Sequence, residues 1–207
     1  MPILSSRVRP FLATAVTIGL CGAPGIAAAQ FRIPELDLAR DSARLVVVDR
    51  EPGQYLGHVT TTLLGDGRTM LAVYPKGHGK GAIVMKRSAD AGRTWSERLA
   101  VPDNWSTSQE VPTIHRVPDP VRGGHRLIMF SGLYPARLAS SDDDGRTWTP
   151  LAPIGDWGGI VVMGSVEAVR NKPGHYLAWF HDDGRYFSRD ARAANPSVFK
   201  LYQTRSE

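Results

Sequence analysis

The chain has 207 residues, of which 42% are hydrophobic and 22% are charged, and its formal net charge is +5. This length and apolar content are enough for a buried core, and the absence of a basic stripe with interleaved aromatics argues against nucleic-acid binding. The mild positive charge is compatible with an anionic small substrate and equally with an ordinary solvated surface.

The first 29 residues have the pattern of a secretory signal peptide. Arg7 and Arg9 give a basic start, residues 11–20 an apolar core too short to span a bilayer, and Ala27–Ala29 a small-residue cleavage site. Cys21 leaves a lipoprotein anchor open, although the leucine before it disfavours one. Cleavage after Ala29 removes this single cysteine and two arginines, which takes the charge from +5 to +3. We therefore expect a periplasmic or secreted protein without disulfides and without a membrane span.

Residues 30–207 alternate strand signals with turn signals and show no helical period. The β-branched run 45–48 is predicted as an outer strand. Further strands are predicted at 59–64, 69–74, 82–87, 111–117, 126–130, 137–140, 162–169, 176–180 and 198–204. No linker-like stretch interrupts the series, so we predict a single all-β domain.

An eight-residue sequence motif occurs twice in this series. Residues 88–95 (SADAGRTW) and 141–148 (SDDDGRTW) both fit S-x-D-x-G-R-T-W and begin 53 residues apart, about the length of one four-stranded propeller blade. In each copy we expect the aspartate to accept hydrogen bonds from amides a residue or two ahead, the glycine to adopt a positive φ and the tryptophan to fill a gap beside the next strand. The residues expected to fasten these hairpins are Ser88, Asp90, Gly92, Thr94, Trp95, Ser141, Asp143, Gly145, Thr147 and Trp148. A calcium loop at 142–144 is the disfavoured alternative, because EF-hand ligands are spaced more widely.

The two motifs resemble the Asp-box (BNR) repeat of the sialidase, or neuraminidase, superfamily. We call them the first and second Asp boxes. The last residues, 202–207 (YQTRSE), are similar to the lead-in to a third box. Sialidases are six-bladed β-propellers, so the resemblance implies about three blades here, as an N-terminal half, with 45–48 closing the ring. It also implies an exo-α-sialidase-like glycoside hydrolase that acts on glycoconjugates without a cofactor or metal.

In a four-stranded blade the loops before the first strand and after the second strand lie at the same end, opposite the Asp boxes. Residues in these loops are the candidates for the site, with Gln109, Tyr134 and Asp156 beside them. We assign catalytic roles to Asp182, Asp183, Glu110 and His58. Substrate-binding roles are assigned to Lys76, His78, His181, Arg185, Arg137 and Trp157.

The acid chemistry is placed in the third predicted blade because residues 181–185 (HDDGR) combine a base, two carboxylates and a cation. Adjacent carboxylates can have pKa values far enough apart to supply an acid and a base at one pH. The alternative is structural: Asp183 and the following glycine form a turn, and Asp182 caps it.

The other candidates also have two interpretations each. Glu110 is either a second catalytic carboxylate or a solvated side chain before a buried strand. Lys76 and His78 alternate with glycines that let a substrate approach the backbone, or they belong to a flexible surface loop. His58 is either an orienting group or a hydrogen-bonded structural histidine. Trp157 is either a sugar-stacking platform or a core aromatic.

The sequence departs from the sialidase pattern at two positions. In that family three arginines grip the substrate carboxylate, a tyrosine paired with a glutamate is the nucleophile and an aspartate is the acid/base. The motif 31–34 (FRIP) resembles the family motif that contains the first arginine. The position where that arginine is expected, at the start of the first predicted blade strand, is instead occupied by His58. The loop 76–80, where the aspartate is expected, has no carboxylate. A non-catalytic propeller that binds glycans or a protein, and an inactive part that lacks later catalytic residues, therefore remain as alternatives.

Overall fold

Three antiparallel sheets make up the computed structural model, which describes residues 34–35, 37, 41–155, 162–182 and 200–206, with Asp182 described for its backbone only. The first sheet contains β1 (Thr60–Leu63), β2 (Met70–Pro75) and β3 (Ile83–Ser88). The second contains β4 (Thr113–Pro118), β5 (His125–Ser131), β6 (Arg137–Ser141) and β7 (Ala152–Pro153). The third contains β8 (Val162–Ala168), β9 (Tyr176–Asp182) and β10 (Lys200–Arg205), and single 3₁₀ turns are formed by Ser42–Arg44 and Asp103–Thr107.

Burial along the strands follows their place in each sheet. The central strand β2 is buried from Leu71 to Pro75, as expected of a strand covered on both faces, whereas the edge strand β1 alternates between half-buried and exposed residues. Asp66 closes the turn between them, because its Oδ1 accepts the amides of Arg68 and Thr69 at 2.9 and 2.8 Å.

The first strands of the three sheets are neighbours: β1 lies against β4, and β4 lies against β8. Between the first two sheets the Thr60 hydroxyl accepts the amide of Ile114 and donates to the carbonyl of Pro112, both at 3.2 Å. The starts of β1 and β4 therefore lie at the same end of the molecule. One apolar cluster, which includes Leu71, Trp105 and Leu127, joins the first two sheets, and a second, which includes Phe130 and Met163, joins the second and third.

The nine strands predicted from 59 to 204 are confirmed, with ends displaced by no more than two residues. The outer strand predicted at 45–48 is wrong. This segment pairs with no strand in the described part of the chain, and Leu45 and Val47 are each 63% exposed. Strand propensity reflects packing on neighbouring strands, which this β-branched run does not have.

Four hydrogen bonds are common to both Asp boxes. In the first, the Ser88 hydroxyl donates to Asp90 and accepts the amide of Gly92, both at 2.8 Å, and Asp90 accepts the amide of Thr94 at 2.8 Å and its hydroxyl at 2.6 Å. The corresponding distances in the second box are 2.8, 2.8, 2.9 and 2.6 Å. The amides bound by each aspartate lie as many as four residues ahead, so the predicted span of one or two is wrong: the box is a wider loop than a two-residue turn.

The positive φ of the glycine is confirmed in both boxes, and the packing of the tryptophan is confirmed for Trp148. Gly92 and Gly145 have φ values of +86° and +76°, which confirms the positive φ. Trp148 packs on the core and meets Trp105 edge-to-face with ring centroids 5.4 Å apart. At the start of β9, the Tyr176 carbonyl accepts the amide of Ser206, and the Tyr176 amide donates to the Ser206 hydroxyl. Ser88 likewise lies opposite the first residue of β2.

Candidate functional site

In the described part of the chain, the loop that joins β2 to β3 and the segment before β4 meet at the end of the sheets opposite the Asp boxes, which we call the loop end. An open cavity of about 500 Å³ lies there between the loop that joins β2 to β3 and the segment before β4. It is lined by Lys76, Gly77, His78, Lys80, Gly81, Ser108 and Gln109. Two of the predicted substrate-binding residues therefore line the same cavity.

The loop 76–82 owes its shape to its glycines. The amide of Lys76 donates to the carbonyl of Ala82 at 3.0 Å, and the amide of Gly81 donates to the carbonyl of Ser108, in the segment before β4, at 3.2 Å. A Cβ at Gly77 or Gly81 would collide with a main-chain carbonyl of the same loop, and both residues have a positive φ. Only glycine allows the loop to fold back on itself this closely.

Three aromatic side chains cluster beside this loop. The rings of His58 and His78 have centroids 4.7 Å apart, and that of Tyr55 lies 5.4 Å from His78. His58 has a φ of +51°, a conformation that costs a non-glycine residue about 1–3 kcal/mol and that concentrates at ligand-binding positions. All three side chains are exposed, so the cluster presents ring faces and ring nitrogens to solvent. Tyr55 was not predicted; its place three residues before His58 is the only sequence signal.

Lys76, on the same loop as His78, belongs to a network of charged side chains. The Lys76 ammonium is 3.0 Å from the Glu51 carboxylate, which also binds Arg98. The hydrogen bonds from Arg98 and then Lys76 lower the pKa of Glu51 below its usual value. Lys76 is therefore held in place by an anion of the protein, while Lys80 is exposed on the same loop.

Glu110 lies against this loop from the second sheet. Its Oε1 accepts the amide of Val111 at 3.1 Å, and a Cβ built at Gly79 would lie 2.8 Å from the same oxygen. The missing side chain of Gly79 thus makes room for the carboxylate. The structure brings the predicted acid Glu110 next to the loop of Lys76 and His78.

Arg137, a predicted substrate-binding residue, is bound to a neighbouring turn. Its two terminal nitrogens donate to the hydroxyl and the carbonyl of Thr107, both at 2.8 Å, and burial lowers the pKa of the guanidinium. Arg137 is not among the residues that line the loop-end cavity. In this structure it fastens the 3₁₀ turn Asp103–Thr107 to the start of β6.

The third-sheet candidates are described only in part. His181 and Asp182 form the end of β9, where they pair with Leu201 and Lys200 of β10. Phe180, one residue earlier, shares the second apolar cluster with Phe130 at the end of β5, so β9 ends at the loop end. Asp183, Arg185, Trp157 and Asp156 lie outside the described residues, as does the predicted signal peptide.

The described residues contain no group of three or more His, Cys, Asp or Glu side chains arranged to hold a metal ion. In the acidic run of the second Asp box, Asp142 instead binds Arg126 and Arg122 at 2.9 and 3.2 Å. In the part of the chain that the structure describes, no helix has the length and hydropathy that crossing a membrane requires.

Comparison with known proteins gave no match to a family model, a curated protein or a solved structure. The resemblance to sialidases therefore depends on the two Asp boxes and on the sheets that they close.

Proposed function

We propose that the three sheets are consecutive blades of a sialidase-type β-propeller and that the loop end binds a terminal sugar of a glycoconjugate. In this proposal the protein is a secreted, exo-α-sialidase-like glycoside hydrolase. The observation that carries it is the four hydrogen bonds shared by the two Asp boxes, which close successive sheets at the end opposite the loop-end cavity.

Two further features support the proposal. The first strands β1, β4 and β8 are neighbours, as the innermost strands of blades around a common axis are. The cavity at the loop end gathers a few polar groups on a rigid framework, which is typical of small-molecule sites.

The proposed roles follow from side-chain chemistry. Glycoside hydrolysis uses two carboxyl groups on either side of the scissile bond. We assign the acid to Asp182 or Asp183 and the second carboxylate to Glu110. The rings of His58 and His78 offer a stacking surface with hydrogen-bonding edges, and Lys76 supplies a positive charge for an acidic sugar.

The test is turnover by the full-length protein of a fluorogenic sialoside and of a panel of other fluorogenic glycosides. We expect Asp182→Asn, Asp183→Asn or Glu110→Gln to lower kcat by about a hundredfold or more, because general acid–base catalysis contributes at least that much. Asp103→Asn changes an exposed acid of the 3₁₀ turn and is the matched control. Absence of turnover on every glycoside would contradict the hydrolase, and full activity in both aspartate variants would contradict the acid assignment.

A second candidate is a propeller that binds glycans without cleaving them. Two observations favour it. The Oε1 of Glu110 already accepts a backbone hydrogen bond and lies against Gly79, and the loop 76–82 has no carboxylate that could act as an acid. This candidate predicts saturable glycan binding without turnover, and it predicts that His78→Ala abolishes the binding. The control His125→Ala alters an exposed histidine at the start of β5, at the Asp-box end, and should leave binding intact.

A further inference from the structure

Arg116, on β4, is a half-buried arginine without an anionic partner among the described residues. Its Nε is buried and forms no hydrogen bond, and it takes part in none of the ion pairs that the described residues form. A buried N–H group of a guanidinium is normally paired, because leaving it without a partner costs free energy. The side chain as a whole is half-buried, so its charge is open to an anion from solvent.

The guanidinium of Arg116 lies in a cavity of about 250 Å³ with mostly polar walls, between the first two sheets at the Asp-box end. Arg87 of β3 and Arg146 of the second Asp box line the same cavity. A Cβ at Gly65 would lie 2.7 Å from Nη2 of Arg116, so the guanidinium occupies the space that this glycine leaves. Since a water molecule needs roughly 30 Å³, the cavity has room for a small anion.

The two acids in the wall do not neutralise the three arginines. Both carboxylate oxygens of Asp66 already accept hydrogen bonds from its own turn, one from two amides and one from the Thr69 hydroxyl at 2.6 Å. Asp144 binds Arg87 through its main-chain carbonyl, and no described residue forms an ion pair with its carboxylate. The charged residues of the wall sum to +1 even with both acids ionised.

Donors for a ligand remain on each arginine. A guanidinium has five N–H groups. Among the described residues, the side chain of Arg87 donates to the carbonyl of Asp144, and that of Arg146 donates to the carbonyl of Asp143. Guanidinium forks match the oxygens of sulfate and phosphate in geometry as well as in charge.

We propose that this cavity, lined by Arg87, Arg116 and Arg146, binds a tetrahedral oxyanion, either free sulfate or phosphate or the monoester of one on a larger ligand. The site lies at the end opposite the loop-end cavity and does not depend on the proposed hydrolase activity.

The test is calorimetric titration of the full chain with sodium sulfate and sodium phosphate, with sodium chloride at matched ionic strength as the blank. We expect saturable binding at one site. Arg116→Met keeps most of the aliphatic packing and removes the charge, and Arg146→Gln removes the charge of an exposed side chain. Each should weaken binding about tenfold or more, since hydrogen bonds to charged groups contribute about 1.5–3 kcal/mol.

The first Asp box supplies a matched control. Arg93 occupies the position of Arg146 in the repeat but does not line the cavity, so Arg93→Gln should bind as the wild type does. If sulfate and phosphate bind no better than chloride, or if Arg93→Gln loses as much affinity as Arg146→Gln, the site is not there. A 6-sulfated monosaccharide that binds more tightly than inorganic sulfate assigns the site to an ester, and equal affinity assigns it to the free anion.

Discussion

Gly145 and Gly92 occupy the same position in the two Asp boxes but have different neighbours. Both have a positive φ, which any side chain opposes. A Cβ at Gly145 would collide with Leu71 of the first sheet and lie 3.3 Å from Leu127, whereas a Cβ at Gly92 meets the flexible end of Met70 at 3.3 Å. The second box thus packs directly on the core between two sheets, and the first does not.

We expect Gly145→Ala to destabilise the protein more than Gly92→Ala. Both changes incur the cost of a positive φ, about 1 kcal/mol, and only Gly145→Ala adds overpacking of about 1–3 kcal/mol against Leu71. Urea unfolding followed by tryptophan fluorescence measures the difference. Equal midpoints for the two variants would show that the core at Leu71 adjusts without cost.

The carboxylate of Asp90 also allows a prediction at the residue scale. Hydrogen bonds from the Thr94 hydroxyl, then from main-chain amides and from Ser88, lower its pKa from 3.8 to about 2. Because the pKa is lower in the folded state, this contribution to stability is present above about pH 4 and is lost as the pH falls towards 2.

We expect Thr94→Val to raise the pKa of Asp90 towards 3.8, because it removes the first of these donors. Carboxyl chemical shifts followed by NMR through acid pH measure the change. Thr147→Val is the internal control: it removes the equivalent donor from Asp143 in the second box and should leave the titration of Asp90 unchanged. A shift of Asp90 in both variants would mean that acid unfolds the two boxes together.

At the scale of elements, ion pairs rather than strand pairing attach the segment 45–51 to the first sheet. The Asp49 carboxylate accepts the Tyr74 hydroxyl at 2.6 Å and Nε of Arg98 at 2.7 Å, and Lys86 of β3 donates to the carbonyl of Val48 at 2.8 Å. Burial raises the pKa of Asp49, but the hydrogen bonds from Tyr74 and Arg98 outweigh it and lower the value to about 2.

We expect Asp49→Asn to release this segment, at a cost of about 1–3 kcal/mol for the lost charged hydrogen bonds. Trypsin should then cleave faster after Arg44 and Arg50. Asp41→Asn is the control, because the Asp41–Arg44 ion pair is solvent-exposed and such pairs contribute about 0–1 kcal/mol. Unchanged cleavage in Asp49→Asn would show that Val48 and Lys86 hold the segment without the carboxylate.

At the scale of the whole molecule, the sequence predicted what depends on local pattern. The strands from 59 to 204 follow from the alternation of apolar and polar residues, and the positive φ of Gly92 follows from a repeated turn motif. Both patterns depend on residues that are close in the sequence. The prediction of a strand at 45–48 was wrong because strand pairing requires a partner that is distant in the sequence. The contact of His58 with His78 and the burial of Arg116 depend on how two sheets meet, and period-two alternation cannot distinguish Arg116 from a solvated arginine.

An exposed apolar surface runs along one side of the first sheet. Leu45, Val47, Val59 and Leu63 are 47–63% exposed, and Val46–Val48 and Val59 line one cavity of about 300 Å³. Among the described strands, β1 pairs on one edge with β2 and on the other edge with none. Contiguous apolar surface beside an unpaired strand edge favours association.

We expect the 207-residue chain to self-associate in proportion to its concentration, and Val47→Lys to weaken this association. Burial of one valine contributes about 1.5 kcal/mol or more, which corresponds to roughly a tenfold change in the association constant. Val121→Lys is the matched control, because Val121 is 92% exposed in the β4–β5 turn, outside this surface. Sedimentation velocity over a concentration series separates the cases: an equal effect of the two lysines would assign association to net charge, and a monomeric wild type would contradict the prediction.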